Sequence, residues 1–359
     1  MKILLCSEFF YPSIGGVQKH NEVIAEYFNK KGHEIHLATS YIKNRKKFKH
    51  IKYHEFDITG NIVKGYKGET INYQNFLVSS KYDLIFFNAA QQWSLDLSLA
   101  IIDKIKSKKI LFPCGFSRIN NPLYYLYFLY IKSKINYFDK IICSHKKAKD
   151  AIFLKKIYKK KIYYFNNGAK KIKKIYSKNY FFEKYNIPKK NKIICNISNF
   201  KYFKGQDISI KLFSELKEDN ITLIMIGKNL SPLFYLYLKY KVKKFNLSNK
   251  NKKIILTSVD YNEAMTILNF SNVFLFTSRL EYDPLVIYES IVHDTKFVST
   301  DVGLIKFLNK RYGYCSNKVN SLNKYLKKYV NQKKNYNIHK KKYEWKNILK
   351  KYEKIFQIN

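Results

Sequence analysis

Short apolar runs recur along this chain, each closed by a polar or glycine-bearing loop and separated from the next by a stretch of helical periodicity. Lys2-Ile-Leu-Leu-Cys6 opens the series. A loop with Pro12 and Gly15-Gly16 follows, then a segment whose apolar residues at 17, 23, 24, 27 and 28 fall on one helical stripe. Gly32 suits the position just past a helix end, and Glu34-Ile-His-Leu-Ala-Thr39 is the next run. Strand, glycine loop, helix and strand make a βαβ unit. Its helical crossover forces the two strands parallel and the connection right-handed. Runs this uniformly apolar belong inside such a sheet, where both faces are covered.

The pattern predicts further strands at 82–87, 109–112, 140–144 and 161–165, and helices over 95–105 and 146–154. Asn121–Ile131 is aromatic but too short to span a bilayer; of a core and an interfacial helix, the core reading is favoured. Residues 169–190 are rich in Lys and Tyr as far as Pro188 and read as an inter-domain connection. A second set follows, with strands at 192–197, 221–226, 253–256, 273–277 and 296–300, helices at 207–217 and 261–269, and a basic helical end over 318–359. The expected fold class is therefore α/β, with two Rossmann-like doubly wound domains facing a central cleft. The boundaries predicted are 1–170, a linker at 171–190, 191–335, and a C-terminal helical segment at 336–359, which the resemblance given below makes a closing helix.

A chain of 359 residues suits two domains of ordinary size. Cys6, Cys114, Cys143, Cys195 and Cys315 are scattered, odd in number and free of Cys-x-x-Cys, which predicts reduced thiols in a cytoplasmic setting. The start reaches a charge too early for a signal peptide. A formal charge of +42 suits nucleic acid, an anionic membrane face or an acidic substrate. Nearly all of it is Lys, with Arg only at 45, 118, 279 and 311, whereas base readout favours Arg. Lys, Asn, Ile, Tyr and Phe are enriched together, so part of the charge reflects A/T-rich codons.

Ser278-Arg-Leu-Glu-Tyr-Asp-Pro-Leu-Val-Ile-Tyr-Glu289-Ser follows the run at 273–277. Pro284 fits a first helical turn. Glu281 then lies in the strand-to-helix loop and Glu289 on the helix, while the amides of Leu285 and Val286 lack partners within it. Free amides, a positive dipole end and two carboxylates suit a diphosphate flanked by hydroxyls. From spacing alone the favoured reading is plainer: an acid that favours the helix dipole and an exposed Glu on the helix face. His20 reads as a helix-surface residue.

Five stretches in order carry a resemblance: Phe10-Tyr-Pro-Ser-Ile-Gly-Gly-Val-Gln-Lys-His20, Phe165-Asn-Asn-Gly168, Ile197-Ser-Asn-Phe-Lys-Tyr-Phe-Lys-Gly-Gln-Asp207, the segment Glu281–Glu289 with Ser299-Thr-Asp-Val-Gly303, and Tyr343–Phe356. Together they resemble the family 4 (group 1) glycosyltransferases of the GT-B fold. The resemblance implies that Gly15 and Gly16 let amides approach donor phosphates and that Lys204 places a charge on the diphosphate. It further implies that Glu281 binds the donor sugar, that the Leu285 and Val286 amides face phosphate or sugar, and that Glu289 binds the ribose diol. Lys204 and Glu281 are the catalytic candidates. Asn199 belongs to the donor-binding set but stands where the family carries Arg, so Arg279 or another Lys is a candidate substitute. Pro113-Cys114-Gly115 stands where the family has Pro-His-Gly, and Pro284 replaces a glycine.

The implied reaction is retaining transfer of a sugar from a nucleotide-diphosphate sugar to a hydroxyl of a glycan or glycolipid acceptor in cell-surface polysaccharide or lipopolysaccharide synthesis. No Asp-x-Asp occurs, so neither a metal nor another cofactor is expected. Lys- and aromatic-rich segments at 122–134 and 231–245 predict peripheral contact with an anionic inner membrane surface from the cytoplasmic side. The competing readings are a basic nucleic-acid-binding protein, which leaves the paired Glu unexplained, and a nucleotide-sugar epimerase or sugar phosphorylase on the same fold, of which the epimerase lacks an acid/base cluster.

Overall fold

The computed structural model describes residues 1–13, 15–62, 65–117, 119–172, 176–308, 310–333 and 340–357. The chain divides into two compact units, Met1–Asn166 with Ile348–Asn359, and Asn167–Asn347.

The first unit holds β1 (Lys2–Cys6), α1 (Gly16–Lys30), β2 (Glu34–Ser40), β3 (Lys52–Phe56), a hairpin of β4 (Ile58–Asn61) and β5 (Gly65–Gly68), and α2 (Thr70–Ser79). It continues through β6 (Leu84–Asn88), α3 (Trp93–Leu99), β7 (Lys108–Phe112), α4 (Tyr125–Lys134), β8 (Lys140–Cys143), α5 (Lys149–Ile157) and β9 (Ile162–Tyr164). Among the described residues the strands form one sheet in the order β3-β2-β1-β6-β7-β8-β9, all parallel. Ile3, Leu4, Leu5 and Cys6 are fully buried, as a strand covered on both faces requires. The order reverses between β1 and β6, so the loops after these strands flank the crevice where open α/β sheets bind ligands.

Two expectations for this unit need correction. The helix predicted over 95–105 ends at Leu99 and continues as turns. The segment 121–131 is not a core helix: a 3-10 turn at Pro122–Tyr124 leads into α4, which buries only Tyr127, Phe128 and Ile131 and exposes Tyr125, Leu126 and Leu129. A helix lying on a sheet meets it with one face, and here the opposite face is apolar too.

The second unit holds α6 (Lys178–Lys184), β10 (Lys192–Ile197), α7 (Gln206–Glu215), β11 (Ile221–Ile226), α8 (Pro232–Ser248), β12 (Lys252–Thr257), α9 (Tyr261–Phe270), β13 (Val273–Phe276), α10 (Leu285–Val292), β14 (Phe297–Ser299), β15 (Gly313–Cys315) and α11 (Val319–Asn331). Its parallel sheet runs β12-β11-β10-β13-β14-β15, with the reversal between β10 and β13. The stretch 171–190 is not a free linker. Residues 173–175 lie outside the described residues, but Ser177 Oγ caps α6 by accepting from the Tyr180 amide at 3.1 Å. Phe181 and Phe182 are then buried in the core of the second unit. The lysines of that stretch cover the solvent side of a helix anchored by two aromatic rings. The stretch 318–359 is helical as expected: α11 is followed by a short turn at Lys340–Tyr343 and by α12 (Trp345–Phe356), with 334–339 and 358–359 outside the described residues. The end of α12 belongs to the first unit, where the Phe356 ring stacks on Phe28 at 4.9 Å and Tyr352 is fully buried.

Candidate active site

The crossover order of the second sheet brings together two loops far apart in sequence: 198–205 after β10, and 277–284 after β13. Gly205 joins them. Its φ of +64° lies in the left-handed region, and a Cβ there would come within 1.9 Å of the Thr277 carbonyl oxygen. Only glycine allows both the turn and the approach. Thr277 Oγ1 donates to the Gly205 carbonyl at 2.6 Å, closing the seam. Lys204 is thereby fixed opposite Glu281, and its Nζ donates to Glu281 Oε1 across a separation of 77 residues. Ser278 Oγ donates to the same oxygen at 3.1 Å.

Asn199 is not aimed at this pair by its hydrogen bonds. Its Oδ1 accepts from the Lys228 amide at 3.2 Å, and its carbonyl accepts from Gln206 Nε2 at 2.9 Å, so it shapes the loop that carries Lys204. Arg279 does not replace the missing arginine. Its guanidinium forks onto Asp207 at 2.8 and 2.6 Å and stacks on Tyr202 at 4.1 Å. Arg118 lies outside the described residues.

Pro284 sits just before the helix, at its N-cap with ψ 119°, so α10 starts at Leu285 and the amides of Leu285 and Val286 occupy its first turn. Glu289 is buried on this helix, which overturns the reading of an exposed acid. A buried carboxylate needs donors, and the Tyr261 hydroxyl supplies one at 2.7 Å. Gly303 holds the loop after β14 against this segment: at φ +56° its absent Cβ would meet the Tyr282 carbonyl oxygen at 2.1 Å. Thr300 Oγ1 donates to the Ser278 carbonyl at 2.6 Å. The Asn-Asn-Gly turn reaches the same loop, with Asn167 Nδ2 donating to Asp283 Oδ2 at 2.9 Å. Ser278, Tyr261 and Asn167 escape sequence reading as site residues because none has a characteristic spacing to the residue it supports. Only the identity of the Asn-Asn-Gly turn hinted at Asn167.

In the first unit, Gly15 is the N-cap of α1 with extended backbone, φ −173°. Ile14 beside it lies outside the described residues. A Cβ on Gly15 would meet only the movable end of Gln18, at 2.6 Å, and a Cβ on Gly16 would meet nothing within 4 Å. Unlike Gly205, this pair is not demanded by the protein's own packing. His20 is not a surface residue but buried in α1. Asn88 Nδ2 donates to its Nδ1 at 3.0 Å, Tyr352 OH faces its Nε2 at 3.1 Å, and burial pushes its pKa down to about 3. It is neutral at physiological pH and no acid for an epimerase. Cys114 has φ +54° and donates its thiol to Asn88 Oδ1 at 3.0 Å, a strained position at the end of β7.

Two Rossmann-type units, one with an open glycine pair at a helix start and one with a lysine and two carboxylates at its switch point, define the GT-B architecture. Residues 177–345 match the family described as glycosyl transferases group 1, and the chain is a glycosyltransferase. Among solved structures it is similar to a sucrose-phosphate synthase from Thermosynechococcus elongatus, at TM-score 0.75 and 13% identity over 99% of this chain and 98% of that one. It is also similar to HepE from Anabaena in complex with UDP and glucose, at 0.71 and 14% over 99% of both chains. A third is WaaG, a glycosyltransferase involved in lipopolysaccharide biosynthesis, at 0.65 and 15% over 92% of this chain and 90% of that one. No curated protein sequence matches the chain.

Proposed function

We propose that the protein transfers a sugar from a nucleotide-diphosphate sugar to a hydroxyl of a lipid-carried glycan, with retention at the anomeric carbon. The observation that carries this reading is the pairing of Lys204 with Glu281 at the switch point of the second sheet, on the loop that leads into α10. As the bond from anomeric carbon to phosphate oxygen breaks, negative charge grows on the diphosphate. Lys204 and the amides of Leu285 and Val286 offset that charge without a resident metal. Glu281, released from Lys204, accepts a hydrogen bond from a hydroxyl of the donor sugar. Glu289 accepts from the ribose diol, with Tyr261 holding it in place. Asn199 acts indirectly, by shaping the lysine loop. The amides beside Gly15 and Gly16 are assigned to the donor phosphates on the family resemblance, and a side chain at Gly16 would fill space that the protein leaves open.

Retention rests on the family resemblance. The acceptor oxygen bonds the anomeric carbon on the face the phosphate leaves, and its proton passes to the departing phosphate oxygen. The similarity to WaaG and to HepE supports a cell-surface glycan as acceptor and a UDP-sugar as donor. No described helix is long and apolar enough to cross a membrane, and we place the enzyme on the cytoplasmic side of the inner membrane as a peripheral protein. The test is incubation with UDP-, GDP-, ADP- and TDP-sugars. One nucleotide should raise the thermal midpoint, and its sugars should be slowly hydrolysed without acceptor. If no member of the panel does either, the proposal fails.

A further inference from the structure

The helix α8 is apolar on two opposite faces. Inward, Leu238 and Val242 are buried, with Phe234, Tyr235 and Phe245 packed beside them on the core of the second unit. Outward, Leu233 is 83% exposed, Leu236 59%, Tyr240 64% and Leu247 79%. Steps of three, four and seven residues place these four on one stripe, opposite Leu238. Lys239, Lys241, Lys243 and Lys244 are exposed along this stripe and its flanks, and no Asp or Glu occurs from Asn220 to Val259. Tyr240, Lys243, Lys244, Leu247 and Ser248 line a shallow concavity of about 480 Å³ on this face. A helix that merely covers a sheet needs one apolar face; the second needs a partner.

We propose that the outer face of α8 docks on an anionic lipid surface, its leucines entering the acyl boundary and its lysines reaching the headgroups. The inference deepens the lipid-carried acceptor of the preceding reading and rests on it for the biological setting. Charge complementarity selects the occupant. An unbroken basic helix with no acid matches an anionic bilayer, and lysine stems can lie along an apolar surface while their ammonium groups reach phosphate. Two copies meeting through this face would oppose like charges. A nucleic acid would be served by the cations and by Tyr240 but gives no use for three exposed leucines.

The full chain is sedimented with vesicles of phosphatidylcholine alone and of equal parts phosphatidylcholine and phosphatidylglycerol. Binding is expected only to the second and should fall in high salt. The double substitution Leu236→Glu and Leu247→Glu should weaken it at least about tenfold, since each leucine loses an apolar environment and gains a like charge to the lipid. Lys243→Gln and Lys244→Gln should cost roughly fivefold each. All four residues are exposed, so the thermal midpoint and its shift with nucleotide should be unchanged. The inference is overturned if the native chain ignores phosphatidylglycerol. It is equally overturned if the leucine variant binds vesicles like the native chain, or if its only changes are in oligonucleotide binding or in solution mass. A native chain that binds vesicles but no nucleotide sinks the transferase reading and leaves this one standing.

Discussion

Glu281→Gln separates the two roles assigned to the lysine pair. The Lys204 ammonium is held by Glu281, with side-chain exposures of only 29% and 14%. A nucleoside diphosphate must compete with that carboxylate for the ammonium. Unit charges about 4 Å apart attract by ~4 kcal/mol at an effective dielectric near 20. Partly exposed pairs realise ~1 kcal/mol of this after desolvation and ordering. Glutamine keeps the shape and an oxygen for Ser278 but removes the competing charge. Affinity for the free nucleoside diphosphate should therefore rise about fivefold, while Lys204→Ala should lower it. Turnover with the intact donor should fall in both variants: by roughly 100- to 1000-fold for Lys204→Ala, which loses charge stabilisation in the transition state, and by about tenfold for Glu281→Gln, which offers the sugar hydroxyl a neutral acceptor. Calorimetric titration with the nucleotide picked out by the donor panel measures the first effect, and initial rates measure the second. If the Gln variant binds nucleotide no tighter than the native protein, the two residues do not compete as described.

Other substitutions test the surrounding frame. Glu289→Ala removes a buried, charged acceptor and should weaken donor binding roughly ten- to hundredfold, seen as a raised KM and a smaller thermal shift; an unchanged KM would remove Glu289 from the site. Gly205→Ala faces both a left-handed φ of +64° and the Thr277 carbonyl at 1.9 Å, so a loss of ~3 kcal/mol or more is expected from urea unfolding. A stability equal to that of the native chain would mean that the seam between the two loops yields freely. His20 sets a pH dependence. Its folded pKa of about 3 lies below the unfolded value near 6.5, so the unfolded state takes up the proton first. Stability should begin to fall as pH drops below about 6.5 and go on falling towards 3, by ~2 kcal/mol at pH 5 from this residue. His20→Gln should flatten that part of a urea-midpoint profile against pH, and an unchanged slope would exclude His20 as its source.

The runs that could be read directly were those whose surroundings leave no choice. Strands β10 and β11 lie inside a parallel sheet, covered on both faces, and appear as unbroken apolar stretches with the same limits in sequence and structure. Strand β3, Lys-Tyr-His-Glu-Phe, is at the sheet edge, where polar side chains are tolerated, and it has no such signature. The hairpin of β4 and β5 is short and partly glycine. Helix α6 was hidden by lysines that say nothing of the two phenylalanines beneath them. At the site, Glu281, Leu285, Val286 and Glu289 could be placed on a loop and a helix from local chemistry. The pairing of Glu281 with Lys204 could not, because it depends on the reversal of strand order between β10 and β13, which only the family resemblance anticipated. Burial of Glu289 and His20 was likewise invisible, since a polar residue on a helix gives no sign of which neighbours arrive from distant segments.

The return of α12 has a consequence for synthesis of the protein. The first unit comprises Met1–Asn166 and Ile348–Asn359, so it must wait for the second half of α12 before Phe28 and Phe86 gain the Phe356 ring and His20 gains Tyr352. Translation of the intervening Asn167–Asn347 takes roughly 10–40 s at 5–20 residues per second. During that interval the nascent first unit keeps a hydrophobic seam open, while the second, encoded without interruption, is free to fold. The unit begun first is sealed only after the second has been made, and a ribosome that stops before Tyr352 leaves it unsealed.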